Sequence, residues 1–279
     1  MTAPRSTYID AAGFEMHLTE WGDRANPALV MWHGLARTGR DFDEAAQALS
    51  RDFFVLCPDT LGRGLSAWSA RGAADYTFAT YGEMTQAMLD RYDIGRLGWV
   101  GTSMGGLLGI TLAAGLLRER ITHLVINDVG PDIPYDSARR IADYVGNPPT
   151  FDSVADYEAW LRRTYAPFGA NSETFWRRMV DTSMRRTDGG KVTVHYDPAI
   201  VSTMAENKAD LDVWDAYDAV IARTLLIRGE HSDVLPPTIA SAMRMRGPCP
   251  ELVVIPECGH APTLADDRQI GLLRDFLVY

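Results

Sequence analysis

The sequence predicts an α/β fold in which a mostly parallel central sheet is flanked by helices and interrupted by an inserted helical segment. Strand-like and helix-like runs alternate through most of the chain, as units of strand, helix and strand do. Several apolar runs are continuous rather than alternating, which suits strands covered on both faces. The alternation lapses between 131 and 218, where strand-like runs are few and aromatics are many.

Taken in chain order, Phe14, Met16 and Leu18 alternate with polar residues, as in a half-exposed strand. ALVMW at 28–32, FFVLC at 53–57 and HLVIN at 123–127 read as doubly buried strands, and RLGWVG ends a further one at Gly101. LLI at 225–227 and LVVI at 252–255 follow later. Helices are expected at 41–49, 80–92, 104–118, 236–246 and 266–278. In the last of these Ile270, Leu273, Phe276 and Leu277 share one face, which would close it onto the sheet. Within the inserted segment, Ser153 with Asp156 and Asn171 or Ser172 with Glu173 look like helix starts. The expected organisation is a core of 1–130 and 219–279 with a helical cap of 131–218.

Composition bounds the function. A chain of 279 residues with 46% hydrophobic and 23% charged residues can bury a sizeable core. The formal net charge of -10 argues against nucleic acid or a membrane surface as partner, because both recruit clusters of Lys and Arg. The N-terminus lacks the positive-then-apolar order of a signal peptide, and no apolar run approaches about 18 residues, so a cytoplasmic address is expected. Cys57, Cys249 and Cys258 cannot all pair, and no CxxC, HExxH, GK[ST] or EF-hand pattern suggests a metal or a nucleotide.

The informative stretch is WVGTSMGGLL at 99–108. A strand that breaks at Gly101-Thr102-Ser103-Met104-Gly105 into an apolar helix is a G-x-S-x-G nucleophile elbow in its required context. A serine hydroxyl is a weak nucleophile, so it needs a base, and the base needs an orienting acid. His260, in PECGHAPTL between a strand and the final helix, is the expected base. Asp233, in LLIRGEHSDVLPP, is the expected acid, with Asp128 after HLVIN as the alternative. An oxyanion hole would come from the Leu35 N–H, aimed by the turn at His33-Gly34, and from the Met104 N–H. His33 would brace that loop. Arg37 is placed to contact a polar acyl substituent or to form a salt bridge within the loop. Tyr144 and Trp160 would line an apolar cleft over Ser103 or pack the cap.

These pieces resemble the α/β-hydrolase superfamily, in its serine-nucleophile, cap-bearing branch. The matching segments are HG at 33–34, DTLGRGLS at 59–66, GTSMGG at 101–106, RGEHSDVL at 228–235 and GHAP at 259–262, in family order. The resemblance implies hydrolysis through an acyl-enzyme, with Ser103 attacking, His260 shuttling the proton and no cofactor. Serine at the elbow argues against epoxide hydrolases and haloalkane dehalogenases, which use aspartate there. GLARTGRDFD and LVINDVGPDI further resemble bacterial carboxylesterases, some acting on aliphatic polyesters and their oligomers. The expected substrate is a small-molecule ester with a short or medium, mainly apolar acyl part. The alternatives are a carbon-carbon hydrolase or enol-lactonase of a catabolic pathway, or a ligand receptor of this fold.

Overall fold

The computed structural model describes residues 3–201 and 212–278. Its main sheet has eight strands in the order β1-β2-β4-β3-β5-β6-β9-β10. These are β1 (Arg5–Ala11), β2 (Phe14–Trp21), β3 (Ala28–Trp32), β4 (Phe54–Pro58), β5 (Leu97–Thr102), β6 (Ile121–Asn127), β9 (Arg223–Gly229) and β10 (Glu251–Ile255). β1 pairs antiparallel with β2 and β2 antiparallel with β4, whereas β4, β3, β5, β6, β9 and β10 run parallel to one another. Among the described residues no helix is long and apolar enough to cross a membrane.

The continuous apolar runs are explained by two cores, one on each face. Leu29 and Met31 of β3 point to one side with Val55, Val100 and Val125, where α1 (Asp43–Leu49) and α9 (Asp267–Val278) cover them. Val30 and Trp32 point to the other side with Leu56, Trp99 and Leu124, under α2 (Phe78–Arg91), α3 (Met104–Ala114) and α8 (Pro237–Met243). Period-two alternation thus puts an apolar residue on both faces.

Helix ends follow local chemistry. The expected helix at 80–92 starts earlier, at Phe78, because the Thr77 hydroxyl accepts the Thr80 N–H at 3.2 Å. The one expected at 104–118 stops at Ala114, just before Gly115.

Between β6 and β9 lie α4 (Tyr135–Gly146), α5 (Val154–Thr164), α6 (Glu173–Ser183), the hairpin of β7 (Met184–Arg186) and β8 (Val192–Val194), and α7 (Trp214–Asp218). Ser153 and Ser172 cap α5 and α6. The sequence pattern does not predict the hairpin. Of the expected cap, 202–211 lie outside the described residues. The Val213 N–H donates to the Pro131 carbonyl at 2.7 Å, so the segment leaves and re-enters the core side by side. Its last helix, α7, packs on α3 of the core although the expected cap extends to 218.

Candidate active site

Ser103 sits between β5 and α3 with φ of 53°, a left-handed conformation that is rare for a residue with a side chain. The turn is tight because its glycines permit close approach. A Cβ on Gly101 would overlap the Gly105 carbonyl, and one on Gly105 would overlap the Trp32 carbonyl. The Ser103 N–H donates to the Asn127 carbonyl at 2.9 Å, which pins the turn to the end of β6.

The Ser103 Oγ lies 2.9 Å from His260 Nε2, and His260 Nδ1 lies 2.9 Å from Asp128 Oδ2. Asp128 has no exposed side-chain surface, and its other oxygen, Oδ1, accepts the Gly229 N–H at 2.8 Å. A buried carboxylate facing Nδ1 makes that nitrogen the one that carries the proton. Nε2 is then left with a lone pair for the serine hydroxyl.

The acid expected from the sequence, Asp233, is not part of this chain of hydrogen bonds. Its carboxylate is half exposed and bonds to Arg140 Nη2 at 2.5 Å. Asp128 is the first residue after β6, the strand adjacent to the one that carries Ser103, whereas Asp233 lies four residues beyond the end of β9 on a loop that turns to α4. Asn127, which the sequence reading did not single out, ties the parts together. Its Nδ2 donates to Thr102 Oγ1 at 3.0 Å and to the Pro262 carbonyl at 2.8 Å, linking the serine turn to the histidine loop.

The loop after β3 is held by His33, which is fully buried. The Thr60 N–H donates to His33 Nε2 at 3.0 Å, so the ring proton is on Nδ1 and bonds to the Gly34 carbonyl at 2.6 Å. In a trans peptide the C=O and N–H point in opposite directions, so the Leu35 N–H faces away from the imidazole. Burial pushes His33 down to about 4, which keeps it neutral near pH 7. Met104 is the first residue of α3, where backbone N–H groups have no partner within the helix. Among the described residues neither the Leu35 nor the Met104 N–H donates a hydrogen bond.

Ser103, His260 and Leu35 open onto a cavity of about 310 Å³. Tyr144, Phe168 and Phe175 from the inserted segment line it together with Arg37 and Arg140. Burial pushes the Tyr144 phenol above its ordinary range. Arg37 is largely buried and bonds to both Asp41 carboxylate oxygens, at 2.8 and 2.6 Å, while stacking over the Tyr165 ring. Burial alone would lower its proton affinity, but the Asp41 charge more than offsets this. Trp160, expected to line the cleft or to pack the cap, does not line the cavity. Its ring packs against Phe151 and Tyr157, because its position on α5 faces the interior of the inserted segment. Among the described residues no three His, Cys, Asp or Glu side chains converge as a metal ion would require.

Comparison with known proteins agrees with this architecture. The α/β hydrolase fold family matches residues 27–266. The chain is 37% identical to the 3-hydroxybutyrate-oligomer hydrolase of Cupriavidus necator, with 96% of this chain and 94% of that protein covered. It is 28% identical to the pimeloyl-[acyl-carrier protein] methyl ester esterase of Nitrosomonas europaea, over 91% of this chain and 96% of that one. The crystal structure of an alpha/beta hydrolase from Novosphingobium aromaticivorans superposes with a TM-score of 0.88 at 32% identity, covering 100% of this chain and 99% of the other. The chain belongs to the α/β hydrolase fold family.

Proposed function

We propose that this protein is a serine hydrolase of carboxylic esters that works through an acyl-enzyme. The observation that carries the reading is the unbroken chain Ser103–His260–Asp128, with both links at 2.9 Å. Ser103 Oγ attacks the ester carbonyl as His260 Nε2 takes its proton, and buried Asp128 stabilises the imidazolium that forms. The negative charge on the former carbonyl oxygen is received by the Leu35 and Met104 N–H groups. His260 then hands its proton to the departing alkoxide, and a water repeats the sequence to release the acid.

The proposed substrate is a short oligoester of a small hydroxy acid. Support comes from the similarity to a 3-hydroxybutyrate-oligomer hydrolase along nearly the whole chain. A cavity of about 310 Å³ with aromatic walls fits a short or medium acyl group. In this reading segment 131–218 is the cap that supplies one wall. Arg37 is committed to Asp41 and shapes the wall as a neutral pair.

The test is hydrolysis of p-nitrophenyl esters from acetate to decanoate, and of the 3-hydroxybutyrate dimer and trimer, by the wild type and by Ser103→Ala. Turnover that peaks at short or medium chains, extends to the oligomers and vanishes in Ser103→Ala is the expected result. A folded wild type that turns over none of these esters would overturn the reading.

A further inference from the structure

Arg63 is fully buried, in the turn that follows β4, and among the described residues it forms no ion pair. Taking an unpaired guanidinium out of water is expensive, and its hydrogen bonds show where the charge is used. Nε donates to the Leu35 carbonyl at 2.9 Å, Nη1 to the Leu61 carbonyl and the Tyr81 hydroxyl, each at 2.6 Å, and Nη2 reaches Met104 Sδ at 3.5 Å. The guanidinium therefore touches both residues whose N–H groups form the proposed oxyanion hole.

The geometry at Leu35 is a clamp. The peptide before it is held by His33 through the Gly34 carbonyl, and the peptide after it is held by Arg63 through the Leu35 carbonyl. Two fixed carbonyls leave the intervening N–H little freedom to swing. On the second donor, the thioether of Met104 rests on the same guanidinium, next to the start of α3. The Tyr76 and Tyr81 rings, with centroids 5.8 and 5.3 Å from the guanidinium carbon, screen it from water. A positive charge in such surroundings acts at longer range than one in solvent.

We propose that Arg63 is a positioning residue of the oxyanion hole: it fixes the donor residues Leu35 and Met104 and lends positive potential to the oxygen that becomes negative. The inference rests on the serine-hydrolase reading. It assigns to the arginine of DTLGRGLS a task that acts on the transition state and leaves ground-state binding alone.

The experiment compares wild type, Arg63→Met and Arg63→Lys with a p-nitrophenyl ester, after the number of active sites is titrated from the acylation burst and folding is checked by thermal melting. Inhibition by an alkylboronic acid is measured alongside, because its serine adduct is tetrahedral and anionic. Per titrated site, kcat of Arg63→Met should fall roughly 10- to 100-fold with KM within about threefold, less than the roughly 100- to 1,000-fold of removing an oxyanion donor outright, because both N–H groups remain. Boronate affinity should weaken in proportion. Arg63→Lys, which keeps the charge but not the fork, should recover part of both losses. A kcat per site within about threefold of wild type, or unchanged boronate affinity, would overturn the proposal. Should Arg63→Met fail to fold, the same two readouts on Arg63→Lys decide it. Ser103→Ala is run in parallel: activity that survives there counts against the hydrolase reading itself, whereas a dead Ser103→Ala beside an unimpaired Arg63→Met removes only the role given to Arg63.

Discussion

The molecule contains a second Ser–His–Asp chain. Ser6 Oγ lies 2.7 Å from His17 Nε2, and His17 Nδ1 lies 2.8 Å from Asp59 Oδ2, spacings close to those of Ser103, His260 and Asp128. What surrounds the two serines differs. Ser6 is an exposed residue of the regular edge strand β1, paired opposite Thr19. Ser103 is on a left-handed turn at the floor of a cavity, beside the start of a helix. The acids differ as well: both Asp59 oxygens also receive backbone N–H groups, from Gly39 at 2.8 Å and Leu65 at 2.9 Å, so that carboxylate organises two loops. Three residue types at hydrogen-bonding distance do not make a nucleophile. The proposed site adds a strained presentation, free N–H donors and room for a substrate.

The comparison can be broken most directly by the serines. Ser103→Ala should lower kcat for a p-nitrophenyl ester by about four to six powers of ten, as expected when one member of a unit is removed. The acids come next. Asp128→Asn should lower kcat by about three to four powers of ten, because the amide can no longer hold the imidazole in its reactive tautomer. Asp233→Asn, which weakens a half-exposed pair with Arg140 and a long bond from the Ser137 hydroxyl at 3.4 Å but touches neither Ser103 nor His260, should leave kcat within about threefold. A larger loss in Asp233→Asn than in Asp128→Asn would reverse the assignment made from the geometry.

The elbow was legible because its constraint is local. A left-handed serine at a strand-to-helix turn needs glycines at Gly101 and Gly105, and the pattern GTSMG displays that need. The acid was less legible. Asp128 and Asp233 each follow a core strand, and what separates them is that β6 lies next to β5 while the loop after β9 turns out to Arg140. Sheet order is not written in spacing. Trp160 stays open between cleft and cap packing for a related reason, since helical periodicity tells which residues share a face and not what that face meets. Arg63 lies in the matching segment DTLGRGLS, but a matching segment does not say what its arginine touches.

The two histidines held near the oxyanion loop and in the second chain give smaller effects that read out stability. His33 is pushed down to about 4 by burial, below the ordinary value of 6.5. Between those values the unfolded chain binds a proton that the folded chain does not, so stability should fall as pH drops from 6.5 towards 4. The contribution is on the order of 3 kcal/mol across that window. Urea denaturation at several pH values should therefore show a shallower acid loss for His33→Gln than for wild type, whatever the variant's stability at pH 7. Parallel curves would mean that His33 titrates normally in the folded protein.

The smallest effect is expected at Ser6. Removing its hydroxyl takes one hydrogen bond from His17, a ring that is otherwise held by Asp59 and is 2% exposed. Ser6→Ala should cost about 1 kcal/mol of stability, the usual net value of such a bond. Its kcat per active site should be indistinguishable from wild type, because Ser6 is an exposed residue of a regular strand and does not line the cavity onto which Ser103 opens. The same ester assay that reads Ser103→Ala decides this. Loss of turnover in a stably folded Ser6→Ala would show that the second chain reaches the chemistry, and the contrast between a strained serine and a flat one would no longer explain which of them reacts.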